Sequence, residues 1–275
     1  MSPPAGPLPQ DCPAFSVRPA MGNTGMRLQG KVALVTGAGG GFGEGIARLF
    51  AAEGAQVVCA DLRSDAAGSI AQAIGAAAHP VTGDVSNGSD VQRMVDAAVQ
   101  AFGGLDIVVN NAGTTHRNQP MLDVDEAEFD RVYAVNVKSI YWMARACVPV
   151  LRRQGRGGSI VHISSTAGIR PRPGLVWYNG TKGALNTITQ CMATELAPDN
   201  IRVNAVCPVI GATNLLEQFM GLPDTPENRA RFLATIPLGR MSTPADIANA
   251  CLWLADPASS FITGVLLPVD GGRCA

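Results

Sequence analysis

Residues 31–50, KVALVTGAGGGFGEGIARLF, decide the fold of this chain. The run Lys31–Thr36 is continuously apolar and of strand length, the pattern of a strand buried on both faces. Glycines follow, and a helical pattern then runs through about Glu53. Between a strand and a helix, glycines let the backbone turn tightly and bring its N–H groups against a pyrophosphate, while the helix N-terminus adds a favourable dipole. The same glycines in an exposed loop would mean only flexibility, so the setting carries the inference. Gly37, Gly41, Phe42 and Gly43 are the candidate dinucleotide contacts.

The alternation continues outward from this unit. Gln56–Asp61 (QVVCAD) is a second buried strand, about 64–78 an alanine-rich helix, 79–82 a short third strand and about 88–103 another helix. Leu105–Asn110 is a fourth strand. The helical region near 126–154 has a break near Asn136, and Ser159–Ile163 is a fifth strand. A helix over about 177–197 and a strand over Ile201–Val206 follow. A proline-punctuated insert (about 209–240), a helix near 244–255 and a strand near Gly264–Pro268 complete the pattern. Apolar strands separated by long helices indicate a parallel sheet covered on both faces. The expected fold is α/β, a single doubly wound Rossmann-type domain with about seven parallel strands.

Composition excludes several classes. The 275 residues are 47% hydrophobic and 16% charged, with a net charge of −1 and no basic cluster, which argues against nucleic acid and anionic membranes as partners. Seven cysteines are scattered without a CxxC pair or zinc-ligand spacing, so no metal and no disulfide framework is expected, and the compartment reads as reducing and cytoplasmic. Residues 1–25 hold six prolines and no apolar core after a basic start. They read as a disordered extension, neither signal peptide nor membrane span, leaving 26–275 as one NAD-binding catalytic domain.

Asp61 ends the second strand, 24 residues after Gly37. A carboxylate there can accept both ribose hydroxyls of an adenosine and repel a 2′-phosphate, which favours NAD over NADP. Arg63 is the one counter-signal. Asp84 and Val85 follow the third strand, where ligands bind in such sheets; Asp84 suits an adenine amino group or a turn. Asn110-Asn111-Ala112-Gly113 ends the fourth strand, and the small residues let the chain pass close to a cofactor ribose.

Tyr178 and Lys182 stand four apart, on one face of the expected helix. An ammonium beside a phenol favours the phenolate, turning an acid of pKa about 10 into a proton donor and acceptor nearer neutrality. One cation at ~4 Å supplies about 1 kcal/mol in water and about 4 kcal/mol at an effective dielectric of 20, so the effect needs a partly desolvated site.

TGAGGGFG at 36–43, Asp61, Asn110–Gly113, Asn136, Ser164-Ser165, Tyr178 with Lys182, and Asp270-Gly271-Gly272 occur in the order and approximate spacing of the short-chain dehydrogenase/reductase family, which the chain resembles over about 28–272. The resemblance implies a tetrad. Tyr178 is the general acid/base and Lys182 also bonds the nicotinamide ribose. Ser165, 13 residues before Tyr178, holds the substrate oxygen, and Asn136 anchors a water linking Lys182 to solvent. Strand alternation points Ser164 elsewhere. Thr213 falls where the family contacts the carboxamide, while Pro208 precedes Val209 where the family usually has glycine. A homodimer or homotetramer is also implied, with contacts through the helices at 136–154 and 177–197.

The segments 114–118, 166–177 and 209–235 border the expected substrate site. Arg117, Arg170 and Arg172, with His116 and Trp177, suit an anion or plain solvation. Leu215, Leu216, Phe219, Met220 and Leu222 suit an amphipathic lid or an oligomer contact. The expected function is NAD-dependent hydride transfer between a secondary alcohol or ketone (a polyol, sugar or small hydroxy compound) and nicotinamide. Two alternatives stand: an NADPH-dependent 3-oxoacyl thioester reductase, which Asp61 opposes, and a non-catalytic dinucleotide sensor, which the intact tetrad opposes.

Overall fold

Every strand pairing in the sheet is parallel. The computed structural model describes residues 26–211 and 216–275; the extension expected at 1–25, together with Thr213 and Leu215, lies outside the described residues. Seven strands form one sheet in the order β3-β2-β1-β4-β5-β6-β7. They are β1 (Val32–Thr36), β2 (Gln56–Asp61), β3 (Ala78–Thr82), β4 (Ile107–Asn110), β5 (Gly158–Ile163), β6 (Ile201–Pro208) and β7 (Leu266–Val269). The central strands are apolar throughout because helices cover both faces. Phe50 and Ile46 of α1 (Gly41–Ala52) and Leu252 of α9 (Pro244–Ala255) pack on one face. Met94 of α3 (Gly88–Phe102) and Leu151 of α5 (Ser139–Gln154) pack on the other, with Leu196 of α6 (Val176–Leu196).

Boundary differences have local causes. The helix α2 (Ser64–Ile74) stops before residue 78 because Gly75 takes a φ of 89° and turns the chain away. β4 starts two residues later than expected because the Gln154 side chain, not a neighbouring strand, satisfies Leu105; its carbonyl oxygen accepts the Leu105 N–H at 2.9 Å and its amide donates to the Leu105 carbonyl. The break near Asn136 is a π turn over Ala134–Lys138, between α4 (Glu126–Tyr133) and α5. The insert folds as two short helices, α7 (Leu216–Met220) and α8 (Pro226–Leu233), rather than one amphipathic lid helix.

The ends of β1 and β4 are stitched together. The Thr36 hydroxyl accepts the N–H groups of Asn111 and Ala112, both at 3.0 Å. The Asn111 side-chain amide donates to the Thr36 carbonyl at 2.8 Å and the Gly37 carbonyl at 3.2 Å. Gly37 needs its freedom, with a φ of 64°, and a Cβ on Gly43 would lie 2.0 Å from the Gly37 carbonyl oxygen. Replacing Gly43 by Ala should therefore destabilise by about 1–3 kcal/mol, as overpacking does. The melting temperature should fall by roughly 2–4 °C per kcal/mol. An unchanged melting temperature would contradict this packing.

Candidate active site

Strand order reverses between β1 and β4, and in such sheets a crevice opens there at the carboxyl ends of the strands. A cleft of about 740 Å³ lies at this place. Gly37, Gly41 and Phe42 of the glycine turn line it, with Asp61 and Val85. Gly43 sits just behind, against Gly37. Asp61 is already engaged: its carboxylate accepts the Gly39 N–H at 2.9 Å and the Arg63 N–H at 3.0 Å, with the Arg63 Nε 3.7 Å away. Asp84 also lines the cleft but makes a turn, accepting the Ser86 N–H at 2.8 Å. Of the β4 end, Ala112 and Gly113 present backbone to the cleft, while the Asn111 side chain is spent on the stitch.

The first half of α6 delivers Tyr178 and Lys182 into the same cleft, both buried. The Lys182 Nζ donates to the Ile163 carbonyl at 2.9 Å and lies 5.8 Å from the centre of the Tyr178 ring. Burial pushes the Tyr178 phenol up to about 12, although a hydrogen bond with Ser165 and the charge of Arg172 pull it back. Burial pushes Lys182 down to about 8. Burial thus draws both groups toward their neutral forms in the cofactor-free protein. Desolvation penalises phenolate and ammonium alike, because both are the charged forms.

Ser164 and Ser165 part as strand alternation predicts. Ser164 turns inward, donating to Asn186 Oδ1 at 2.6 Å. Ser165 faces the cleft and caps the following 3-10 turn, accepting the Ala167 N–H at 3.0 Å. Asn136 is buried in the π turn. Its amide donates to the Thr114 carbonyl at 2.8 Å and to Thr181 Oγ1 at 3.1 Å, and its oxygen accepts the Thr114 N–H at 2.9 Å. These bonds join the Thr114 segment to α6. The Gly-Thr spelling within Tyr178–Lys182 has local reasons: a Cβ at Gly180 would stand 3.0 Å from the Tyr133 hydroxyl, and Thr181 is the partner Asn136 requires.

Pro208 and Val209 line the far wall with Phe219 of α7, whose ring makes an edge contact with Tyr178 at 5.1 Å. Arg170 and Arg172 line it too, but Arg117 does not; its guanidinium donates to the Gly221 carbonyl. His116 is wholly buried, and its Nε2 accepts the Tyr178 N–H at 3.4 Å. Trp177 points away and donates to the Met121 carbonyl. Sequence reasoning missed Arg273, Phe232 and Arg131 in the lining. Arg273 follows Asp270-Gly271-Gly272, so its closeness to the motif was the one available signal. Among the described residues no group of three His, Cys, Asp or Glu is arranged for a metal, and no helix is long and apolar enough to cross a membrane.

A buried lysine with a depressed pKa costs stability. The folded state holds Lys182 protonated only below about 8, the unfolded chain up to 10.5. Its contribution therefore improves stability as pH rises from 8 to 10.5 and is lost as pH falls through 8. Lys182→Met should melt no lower than the parent at neutral pH, and its advantage should shrink as pH rises through this window. A lower melting temperature at pH about 7 would contradict the burial argument.

Comparison with known proteins agrees with this geometry. A family model described as enoyl-(acyl carrier protein) reductase matches residues 37–273. A 4-formylbenzenesulfonate dehydrogenase from Comamonas testosteroni is 51% identical over 90% of this chain and 99% of its own. A galactitol 2-dehydrogenase from Agrobacterium fabrum is 37% identical over 90% of this chain and 99% of its own. Among solved structures, a 3-ketoacyl-(acyl-carrier-protein) reductase from Brucella melitensis, complexed with NADH, is 46% identical. It superposes with a TM-score of 0.85 over 90% of this chain and 100% of that one. The chain belongs to the short-chain dehydrogenase/reductase family and is an oxidoreductase.

Proposed function

We propose that the cleft binds NAD and carries reversible hydride transfer between an alcohol and the corresponding carbonyl compound. The observation that carries this is the convergence of Tyr178, Lys182 and Ser165 on one cleft that also holds the glycine turn. The residues present fit the cofactor. The crowded Gly37–Gly43 contact keeps side chains out of the turn, and bare Gly113 leaves its hypothetical Cβ 3.5 Å from Asn136 Oδ1 and 3.7 Å from Lys182 Nζ. Backbone N–H groups at Gly41, Phe42 and Gly43 suit the pyrophosphate, Asp61 the adenosine ribose, and Asp84 and Val85 the adenine. Asn111, Ala112 and Gly113 pass beside the ribose, Tyr178 and Lys182 hold the nicotinamide ribose, and Pro208 flanks the carboxamide.

When bound and oxidised, the nicotinamide supplies the hydride acceptor and a positive charge. In the oxidation direction the substrate hydroxyl, held by Ser165, gives its proton to the Tyr178 phenolate as the C–H electron pair leaves carbon. The phenol then passes its proton outward, beside the Lys182 ammonium. With burial holding the phenol at about 12, Lys182 and Arg172 must act together with a cofactor charge to make the phenolate available.

NAD is favoured over NADP because the Asp61 carboxylate would repel a 2′-phosphate, and Arg63 is drawn to that carboxylate instead. The relatives' names span an aromatic aldehyde, a polyol and an acyl carrier protein thioester, so kinship leaves the substrate open. A 3-oxoacyl thioester reductase is a second reading, favoured by the 46% identity to the Brucella protein. A cytoplasmic dimer or tetramer is the expected assembly, with exposed Tyr141 on the outer face of α5 available to such a contact.

Tyr178→Phe should lower turnover by about 10²–10⁴-fold while leaving NADH affinity nearly intact, with binding read by fluorescence. Near-parental turnover would sink the assignment of Tyr178. Parallel assays with NADH and NADPH on a ketone panel and on a 3-oxoacyl thioester separate the two readings.

A further inference from the structure

The substrate end of the cleft carries three guanidinium groups, of which only Arg172 bears on the Tyr178 phenol. Arg170 and Arg172 project from the segment between Gly168 and α6, and Arg273 reaches the same wall from beyond β7. Arg172 donates to the Phe219 carbonyl at 2.6 Å and stacks 5.1 Å over the Phe232 ring. Arg170 donates to the Arg273 carbonyl, and Arg273 to the Thr235 hydroxyl. Arg172 is close enough to sense the charges of both Arg273 and Tyr178.

Among the described residues, none of these three arginines forms an ion pair, whereas the other cleft arginines do: Arg63 with Asp61 at 3.7 Å and Arg131 with Glu128 at 3.6 Å. The acidic side chain nearest in sequence, that of Asp270, spends its carboxylate on the N–H groups of Gly272 and Cys274, at 3.0 and 2.8 Å. Like charges gathered on one wall, where Arg172 and Arg273 are half-buried, repel one another, which costs stability unless an anion joins them. Between these guanidinium groups and the phenol the wall is aromatic, made by Phe219 and Phe232.

We propose that Arg170, Arg172 and Arg273 bind an anionic group of the substrate, a carboxylate or sulfonate on a flat aromatic body whose reacting carbon lies at Tyr178. Guanidinium forks match two oxygens of either anion, and the phenyl walls match the ring. The enzyme then prefers anionic aromatic alcohols and aldehydes to neutral ones of the same shape. The inference rests on the hydride-transfer reading of the cleft. In oxidation the benzylic C–H bond breaks with its electron pair passing to nicotinamide, the O–H proton goes to Tyr178, and C=O forms.

Three benzyl alcohols, para-sulfonated, para-carboxylated and para-methylated, test this with the full chain and NAD. The better anion should exceed the methylated compound in kcat/KM by roughly ten- to hundredfold, the scale of a charge-assisted hydrogen bond. Comparing the two anions distinguishes sulfonate from carboxylate. The ratio of anionic to neutral efficiency should collapse in Arg172→Gln and fall in Arg273→Gln, but persist in Arg117→Gln, which lies outside the lining. Equal efficiency for neutral and anionic alcohols, or a ratio indifferent to Arg172 and Arg273, would overturn the proposal.

Calorimetric titration of the unaltered protein gives a second readout that needs neither turnover nor variants. Benzenesulfonate should bind at least about tenfold more tightly than benzenesulfonamide, its neutral isostere. Equal affinities would overturn the anion site. Preferential sulfonate binding without turnover of any alcohol would support the anion site while sinking the hydride-transfer reading.

Discussion

One backbone carbonyl, that of Ile163 at the end of β5, holds the Lys182 ammonium at 2.9 Å, and the chemistry of the cleft depends on that bond. A buried ammonium without a partner would shed its proton, because burial already draws Lys182 down to about 8. The same burial draws the neighbouring phenol up to about 12. The pair is thus held with both groups reluctant to ionise. Charge brought in from outside, by a cofactor, shifts a balance that the protein alone leaves on the neutral side of the phenol. Under the proposed hydride-transfer function, that arrangement would couple proton transfer to cofactor occupancy.

The sheet makes this possible by bringing distant segments to one edge. Thr36 and Asn111 are 75 residues apart, yet their hydrogen bonds join the glycine turn to the end of β4. Asn136 does the same between the Thr114 segment and Thr181 of α6. Asn111, Asn136 and Ser164 spend their side chains on protein, while Ser165, Tyr178 and the arginines without an ion pair line the cleft. Those arginines give the cleft a positively charged wall beside the rings of Phe219 and Phe232.

Much of this was legible in the sequence because parallel sheets impose strong patterns. Continuous apolar runs gave β1, β2 and β5 nearly to the residue, and the helix expected near 244–255 is α9. The i, i+4 spacing placed Tyr178 and Lys182 on one face, and the 13-residue spacing to Tyr178 singled out Ser165, with Ser164 then pointing the other way. Three kinds of feature escaped. Arg273 and Phe232 enter the cleft through tertiary packing at chain positions that no local period marks. Asn136 has a break-like signal, but the partners that consume its amide are 22 and 45 residues away. The acidity of Tyr178 depends on how much water is excluded, and spacing carries no information on burial.

Titration of the Tyr178 phenol by difference absorbance tests the central claim most directly, with Tyr178→Phe as the blank and with or without saturating NAD. The phenol of the free protein should titrate above the ordinary tyrosine value of about 10, and oxidised cofactor should bring it down by at least about one pKa unit. A phenol that already titrates near neutrality in the free protein, or one that NAD leaves unmoved, would contradict the account.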